Sequence, residues 1–250
     1  MEDKTTAYIS ASITSALGVA SLSLSDETAQ IFSMIAPSIQ TAIDFALSTI
    51  GSTRFSKREQ VRIGSAVWWA LKVAEENVHA GKRILQVRFD QTEVNSVVET
   101  IFRAAIEDSQ ELKDRAYGTL LGNFVYQDKF DGGALYSIAK ILRDLSFDEL
   151  LLIAALKDLP AMNYEMLYTK LEKDGDLVAG ELVGHFSRLK DLGLIVRVFP
   201  VSLGSFIGNL QLSAMGEALC DIADLERLAP KQVESLCGYL KLNSQEVKRF

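Results

Sequence analysis

Histidine and cysteine are scarce in this sequence, with two of each among its 250 residues. His79 and His185 lie far apart, and neither has a second histidine, a cysteine or an acid at a metal-ligand spacing. A glycine-rich phosphate loop is missing as well, because Asp131-Gly132-Gly133 has no predicted strand before it and no lysine after it. The sequence therefore predicts no metal site and no bound cofactor, and we expect a protein that is not an enzyme.

A basic secretory leader is also lacking, since the sequence starts with Met1-Glu2-Asp3-Lys4. Cys220 and Cys237 both fall in predicted C-terminal helices and match no metal spacing. Two scattered cysteines without a leader favour a reducing compartment. We therefore predict two free thiols and a cytoplasmic location.

Charge is nearly absent from residues 5–53, and isoleucine and leucine recur there every three or four residues between positions 31 and 50. This spacing predicts an amphipathic helix. We interpret residues 1–53 as a charge-poor helical segment that packs against the main body or against its twin in an oligomer. A membrane-surface helix over residues 31–51 is a second interpretation, whereas Pro37, Gln40 and Asp44 argue against a transmembrane span.

Alternation at a period of two is missing from residues 54–145, which predicts a domain made of helices. A capping box formed by Ser56 and Glu59 starts the first helix, and a stop near Ala80-Gly81 ends it. A turn or hinge is predicted at Asp131-Gly132-Gly133. Three further helices are predicted at 93–107, 110–125 and 134–145.

Tryptophan occurs only at Trp68 and Trp69, on adjacent faces of the first helix, so at least one ring is expected in a seam between helices. A basic cluster surrounds this helix, at Arg54, Lys57, Arg58 and Arg62 before the tryptophans and at Lys82, Arg83 and Arg88 after them. Ion pairing with acids such as Glu59, Glu75 and Glu76 is the leading interpretation of the cluster. The alternative is contact with phosphates or with an anionic membrane surface.

Residues 146–228 contain, in order, the elements of a winged helix-turn-helix, starting with a capping box at Ser146 and Glu149. The first predicted helix starts at 146, and the next two cover 164–171 and 182–189, the third stopping at Asp191-Leu192-Gly193. A fourth helix covers 213–219, and the predicted strands cover 194–199 and 209–212. A terminal helix and a polar tail follow over 229–250. The predicted fold class is mainly α, with an N-terminal helical domain and a C-terminal winged helix-turn-helix that has a small two-stranded wing.

The third helix of this module would enter the major groove if the module read DNA. The predicted core-facing residues are Leu182, Phe186, Leu189 and Leu192. The outward side is predicted to carry some of Ala179, Gly180, Glu181, Gly184, His185, Arg188 and Asp191. His185 and Arg188, together with Arg197 at the base of the wing, are the candidate nucleic-acid contacts.

Positive charge is missing where a DNA reader needs it. Residues 146–228 contain seven Lys or Arg against thirteen Asp or Glu, a balance of −6 in a chain of net charge −7. Between Pro200 and Asn209 there is no Lys or Arg at all. The candidate partner-binding residues there are apolar, which suits a protein surface; they are Leu203, Phe206 and Ile207.

Three runs resemble those of a loosely defined set of uncharacterised bacterial helical proteins. They are Ser56 to Ile63, Asp108 to Arg115 leading into Tyr117 to Asn123, and Ile141 to Leu150. The middle run is also similar to the abortive-infection alpha-type domain. That resemblance implies a bacterial source and a role in phage defence.

Together these patterns favour a non-enzymatic bacterial cytoplasmic protein that acts through protein–protein contacts and self-association as a homo-oligomer. The alternative is a DNA-binding transcriptional regulator that uses the winged helix, which would make nucleic acid the partner. A membrane-acting protein that uses residues 31–51 ranks third.

Overall fold

A computed structural model of the protein describes residues 56–82, 91–108, 110–126, 132–159, 162–163, 177–198 and 209–245. Most of these residues are helical, as the sequence predicts, and a small antiparallel sheet lies toward the C-terminus. The chain divides into two compact units, with the boundary between Asp144 and Leu145. The predicted segment over residues 1–53 and the predicted helix over 164–171 lie outside the described residues.

The first unit has its described residues in helices α1 (Lys57–His79), α2 (Gln91–Glu107), α3 (Asp114–Asn123) and α4 (Gly132–Asp144). Single 3₁₀ turns at Glu111–Lys113 and Phe124–Tyr126 flank α3. α1 packs along α3, and α2 packs against both α1 and α4. The four helices match those predicted between residues 54 and 145.

Local sequence sets both ends of α1. The Ser56 hydroxyl accepts a hydrogen bond from the Glu59 N–H (3.3 Å), and the Glu59 carboxylate accepts one from the Ser56 N–H (2.5 Å), which confirms the predicted capping box. At the other end Gly81 has φ +71°, and the Lys82 N–H donates to the Asn77 carbonyl (3.0 Å). A left-handed glycine therefore ends the helix at the predicted place.

α1 and α3 approach so closely that two positions on α3 have no room for a side chain. A Cβ at Gly118 would lie 2.4 Å from the carbonyl oxygen of Ala66, and one at Gly122 would lie 2.6 Å from that of Ala70. The glycines and the alanines repeat at the same four-residue interval. The contacts therefore advance together along both helices, which run parallel.

The second unit has its described helical residues in α5 (Phe147–Lys157), α6 (Leu177–Asp191), α7 (Ala214–Ala223) and α8 (Pro230–Gln245), with a 3₁₀ turn at Leu225–Arg227. Strands β2 (Ile195–Val198) and β3 (Asn209–Leu212) pair antiparallel, which confirms the two predicted strands. A two-residue strand, β1 (Met162–Asn163), adds to β3 and gives the order β1-β3-β2.

α5 is the centre of the second unit. Every side chain from Leu150 to Leu156 is buried, and α6, α7, α8 and β3 all pack against this helix. A helix that is apolar on every side requires burial on every side. α8, at the end of the chain, is therefore part of the core of this unit.

Two residues of the predicted reading helix differ in orientation from the prediction. Leu192, predicted to face the core, is 39 % exposed. α6 ends at Asp191 and Gly193 takes φ +70°, so Leu192 lies in a turn where the helical periodicity no longer applies. Ala179, included on the outward side, is fully buried, because α6 begins at Leu177 and position 179 shares a face with 182, 186 and 189.

Gly132 and Gly133 open α4, so the prediction of a turn or hinge at these two residues is wrong. The first N–H groups of a helix need no partner inside the helix, which lets the helix start on glycines. The Ser137 hydroxyl donates to the Gly133 carbonyl (2.9 Å) within this first stretch of α4. Asp131 lies outside the described residues.

Candidate interaction surfaces

The candidate nucleic-acid contacts His185 and Arg188 lie one turn apart on α6, and both reach back toward α5. His185 Nδ1 lies 3.5 Å from Oε1 of Glu149, and Arg188 Nη1 lies 3.3 Å from Oε2. The Glu149 side chain is 1 % exposed, whereas that of Arg188 is 50 % exposed. The structure thus brings these two residues together at one buried carboxylate.

The Glu149 carboxylate also closes the capping box of α5. Its Oε2 accepts the N–H of Ser146 (2.6 Å), and the Ser146 hydroxyl accepts the N–H of Glu149 (3.2 Å), so the predicted box is confirmed. The contact with α6 was not predicted, because periodicity within one helix does not show which helix it meets. A buried carboxylate requires a compensating charge, and Arg188 supplies it.

The N-terminal half of α6 lacks the side chains that read bases. Arg, Lys, Asn and Gln from the N-terminal half of a recognition helix make most base contacts. The N-terminal half of α6 contains none of these types, and it exposes Gly180, Glu181 and Gly184. Asp191 is exposed near the end of the helix. Exposed carboxylates repel phosphates, so this surface disfavours DNA.

Arg197, the third candidate nucleic-acid contact, is exposed on β2 and lies opposite Leu210 of β3. The structure places it on the sheet rather than on α6. The candidate partner-binding residues Leu203, Phe206 and Ile207 lie outside the described residues. Leu192 and Val196, 39 % and 37 % exposed, are large apolar residues that the adjoining described segment offers to solvent.

An aromatic–cationic patch, defined by Trp68, Trp69, Lys72 and Arg115, lies on the first unit. The two indole rings meet edge to face with their centroids 4.7 Å apart. The Lys72 ammonium lies 5.4 Å and 5.1 Å from the two ring centroids, and the Arg115 guanidinium lies 4.4 Å from that of Trp69. These distances are typical of cation–π contacts.

The two tryptophans divide between seam and solvent. The Cβ of Trp69 adjoins the position of Gly118 on α3, which confirms the prediction that one of them lies between helices. Trp68 is 52 % exposed. Half exposure of a large aromatic side chain costs free energy, because burial of such a ring is strongly favourable.

The basic cluster predicted around α1 is not one solvated surface. Arg62, 2 % exposed, donates to Asp114 Oδ1 from Nε (3.1 Å) and Nη2 (2.9 Å), and Arg58 lies 3.5 Å from Glu111. Ion pairing is confirmed for these two arginines, although their partners lie at the start of α3 and in the turn before it. Arg54, Arg83 and Arg88 lie outside the described residues.

A second buried pair adjoins the first. Lys113, 1 % exposed, pairs with Asp108 and donates to the carbonyl oxygen of Arg143 at the end of α4 (2.9 Å). The Tyr117 hydroxyl and the Gln110 N–H also donate to Asp108 (2.7 Å and 2.8 Å). Burial raises the pKa of Asp108, but these three donors outweigh it and hold the pKa of this carboxyl below its ordinary value. The network ties together the ends of α2, α3 and α4.

Cys220 and Cys237 are free thiols, as predicted, and both are buried. Burial raises the pKa of the Cys220 thiol to about 12 and raises the pKa of Cys237 as well. Cys237 donates a weak hydrogen bond to the Ala155 carbonyl (3.5 Å). A nucleophilic cysteine needs a lowered pKa and access to solvent, so neither thiol has the character of a catalytic group.

Within the described ranges, no group of three or more His, Cys, Asp or Glu side chains is arranged to hold a metal ion. Among the same residues, no helix is both long enough and apolar enough to cross a membrane. The interpretation of residues 31–51 as a membrane-surface helix falls outside the described part of the chain.

No family model, no curated protein and no solved structure matches this chain.

Proposed function

We propose that this chain is a non-enzymatic cytoplasmic protein that acts through protein–protein contacts, including contacts with further copies of itself. In this proposal the second unit is a winged helix-turn-helix that serves protein contact rather than DNA reading. The two inert, buried thiols support the non-enzymatic part and also suit a reducing compartment.

The order of elements in the second unit supports the winged helix. α5 is followed by β1, and α6 leads through the turn at Gly193 into the antiparallel pair β2 and β3. β1 lies at the edge of the same sheet. The predicted second helix of the module, over residues 164–171, falls outside the described residues.

The buried carboxylate of Glu149 is the observation that favours protein contact over DNA binding. If Arg188 turned to a phosphate, Glu149 would lose the full positive charge that compensates it. Breaking a fully buried pair costs about 3–5 kcal/mol, and a smaller penalty applies here because Arg188 is half exposed. Arg188 therefore stabilises the packing of α6 on α5 through its pair with Glu149, and contact with a phosphate would weaken that pair.

A binding titration tests this choice. Fluorescence anisotropy of a labelled mixed-sequence duplex at low salt is expected to stay flat as the full chain is added, for the native protein and for Arg188→Ala alike. Saturable binding that weakens in Arg188→Ala and Arg197→Ala, and that falls with added salt, would establish the DNA-binding regulator instead. Glu217→Ala, an exposed substitution on α7, is the matched control for the folded state.

Light scattering tests self-association. The molar mass of the full chain is expected to rise with concentration above the 27.6 kDa of one copy. A mass that stays at one copy over the whole accessible range contradicts this part of the proposal.

A further inference from the structure

Among the described residues Lys72 and Arg115 have no acid partner, although the chain as a whole has an excess of acid. Within the described residues, neither lies within 4.0 Å of a carboxylate, and both rest on tryptophan rings instead. By contrast, Arg58 and Arg62 of the same unit each pair with an acid at 3.5 Å or less. The cations of the patch are thus held in place by aromatic rings, with no carboxylate of the described segments to compensate their charge.

The surface around Trp68 is open on its own helix. Gly64, one turn before Trp68, is exposed, and a Cβ there would meet nothing within 4 Å. Trp68 therefore stands beside a shallow stretch of backbone that another molecule can approach. Exposed tryptophan and arginine are the residue types that dominate the energetics of protein interfaces.

The second unit offers the complementary charge. Glu181 and Asp191 are exposed on α6, and neither takes part in an ion pair among the described residues. Ten residues separate them, nearly three turns, so both lie within about a quarter turn of each other around the helix axis. Between them α6 exposes Gly184, which again leaves the backbone open to approach, and Arg188, whose charge is paired with the buried Glu149 carboxylate.

We propose that the aromatic–cationic patch of one copy binds the acidic face of α6, marked by Glu181 and Asp191, in a second copy. Trp68 packs on the open backbone of α6, while Lys72 and Arg115 meet the two carboxylates. The contact joins different surfaces on the two copies, so it either forms twice in a two-fold symmetric pair or repeats into a ring or a filament. This inference rests on the self-association proposed above and names the surfaces that form it.

Charge reversal on the full chain tests the contact. The patch variant is Lys72→Glu with Arg115→Glu, and the α6 variant is Glu181→Lys with Asp191→Lys. The matched control is Arg103→Glu with Lys140→Glu, two exposed cations elsewhere on the first unit. Sedimentation velocity at low salt is expected to show that each of the two variants, measured alone, self-associates at least tenfold more weakly than the native protein. The control variant is expected to self-associate like the native protein. An equal mixture of the two variants is expected to associate again.

Trp68→Ala keeps the inference testable if the loss of Arg115 disturbs folding, because Trp68 is half exposed and its removal leaves α1 and α3 packed. It is expected to weaken self-association at least tenfold while the far-UV circular dichroism spectrum stays unchanged.

Native-like association of Trp68→Ala and of both charge variants overturns the named surfaces but leaves self-association standing. If the native protein itself stays monomeric, the proposed self-association is wrong. If each charge variant associates weakly but their equal mixture does not associate, the two surfaces do not bind each other and the inference is wrong.

Discussion

At Gly118, the lack of a single methyl group sets the distance between two helices. An added Cβ would lie 2.4 Å from both the Ala66 carbonyl oxygen and the Trp69 Cβ, where neither atom belongs to a flexible chain end. The helices must therefore separate to admit it. We expect Gly118→Ala to lower the free energy of unfolding by about 1–3 kcal/mol.

Gly64→Ala is the matched control on α1, because its new Cβ meets nothing within 4 Å. Removing a glycine from an exposed helix interior stabilises by about 0.5–1 kcal/mol, so the two substitutions have opposite signs. Urea denaturation followed by circular dichroism measures both. Equal stability of the two variants would show that α1 and α3 do not pack as closely as described.

Element ends follow from local chemistry, which explains why the sequence predicts them well. The capping boxes at Ser56 and Ser146 and the stops at Gly81 and Gly193 all depend on residues within one helical turn. β1 shows no signal, because two residues cannot display a period. The core-facing orientation predicted for Leu192 is wrong because the helix ends one residue before it.

Contacts between elements depend on residues far apart, and the sequence shows them poorly. Arg62 meets Asp114 across 52 positions, and the patterns around each residue indicate only a solvated charge. One readable signal does exist, since Ala66 and Ala70 share the four-residue interval of Gly118 and Gly122. Small residues at that interval let two helix backbones approach, and they indicate the α1–α3 pairing.

The capping box of α5 gives a prediction at the scale of the element. Ser146→Ala removes the acceptor for the Glu149 N–H, and we expect it to lower the free energy of unfolding by about 1 kcal/mol. Ser146→Asn retains a side-chain acceptor and is expected to stay within a few tenths of the native value. Thermal and urea unfolding of the full chain compare the two. A loss of the same size in both variants would mean that the cap does not stabilise α5.

Over the whole molecule, cations of both units pair with acids, and two cations of the first unit rest on tryptophan rings instead. In the acidic second unit, Lys157 lies between Asp221 and Glu226 at 2.7 Å and 2.9 Å, and Arg188 is held at Glu149. Burial lowers the pKa of Lys157, but its two acidic partners outweigh this and raise the pKa above its ordinary value. In the first unit Arg62 and Lys113 also pair with acids, whereas Lys72 and Arg115 rest on tryptophan. This difference favours contact between unlike surfaces of two copies.

Each unit also has its own core, which predicts that the second one folds alone. Its fully buried apolar residues come from both the helices and the sheet; among them are Leu150, Ile153, Phe186, Leu189, Ile195, Leu210, Leu219 and Leu240. A unit with a core of this kind can fold independently. We therefore expect a fragment of residues 145–250 to show helical circular dichroism and one cooperative urea transition.

Gly216→Ala in the same fragment separates a native core from a loose helical collapse. A Cβ at Gly216 would lie 2.2 Å from the Leu194 carbonyl oxygen, which also accepts the Ser213 N–H (2.9 Å) and so cannot move away freely. The substitution is expected to lower the free energy of unfolding by about 1–3 kcal/mol, and the transition midpoint falls with it. Gly238→Ala, at an exposed position of α8 with open space around it, is expected to leave the midpoint unchanged or raise it slightly. A fragment whose unfolding is gradual and insensitive to Gly216→Ala would show that this core needs the rest of the chain.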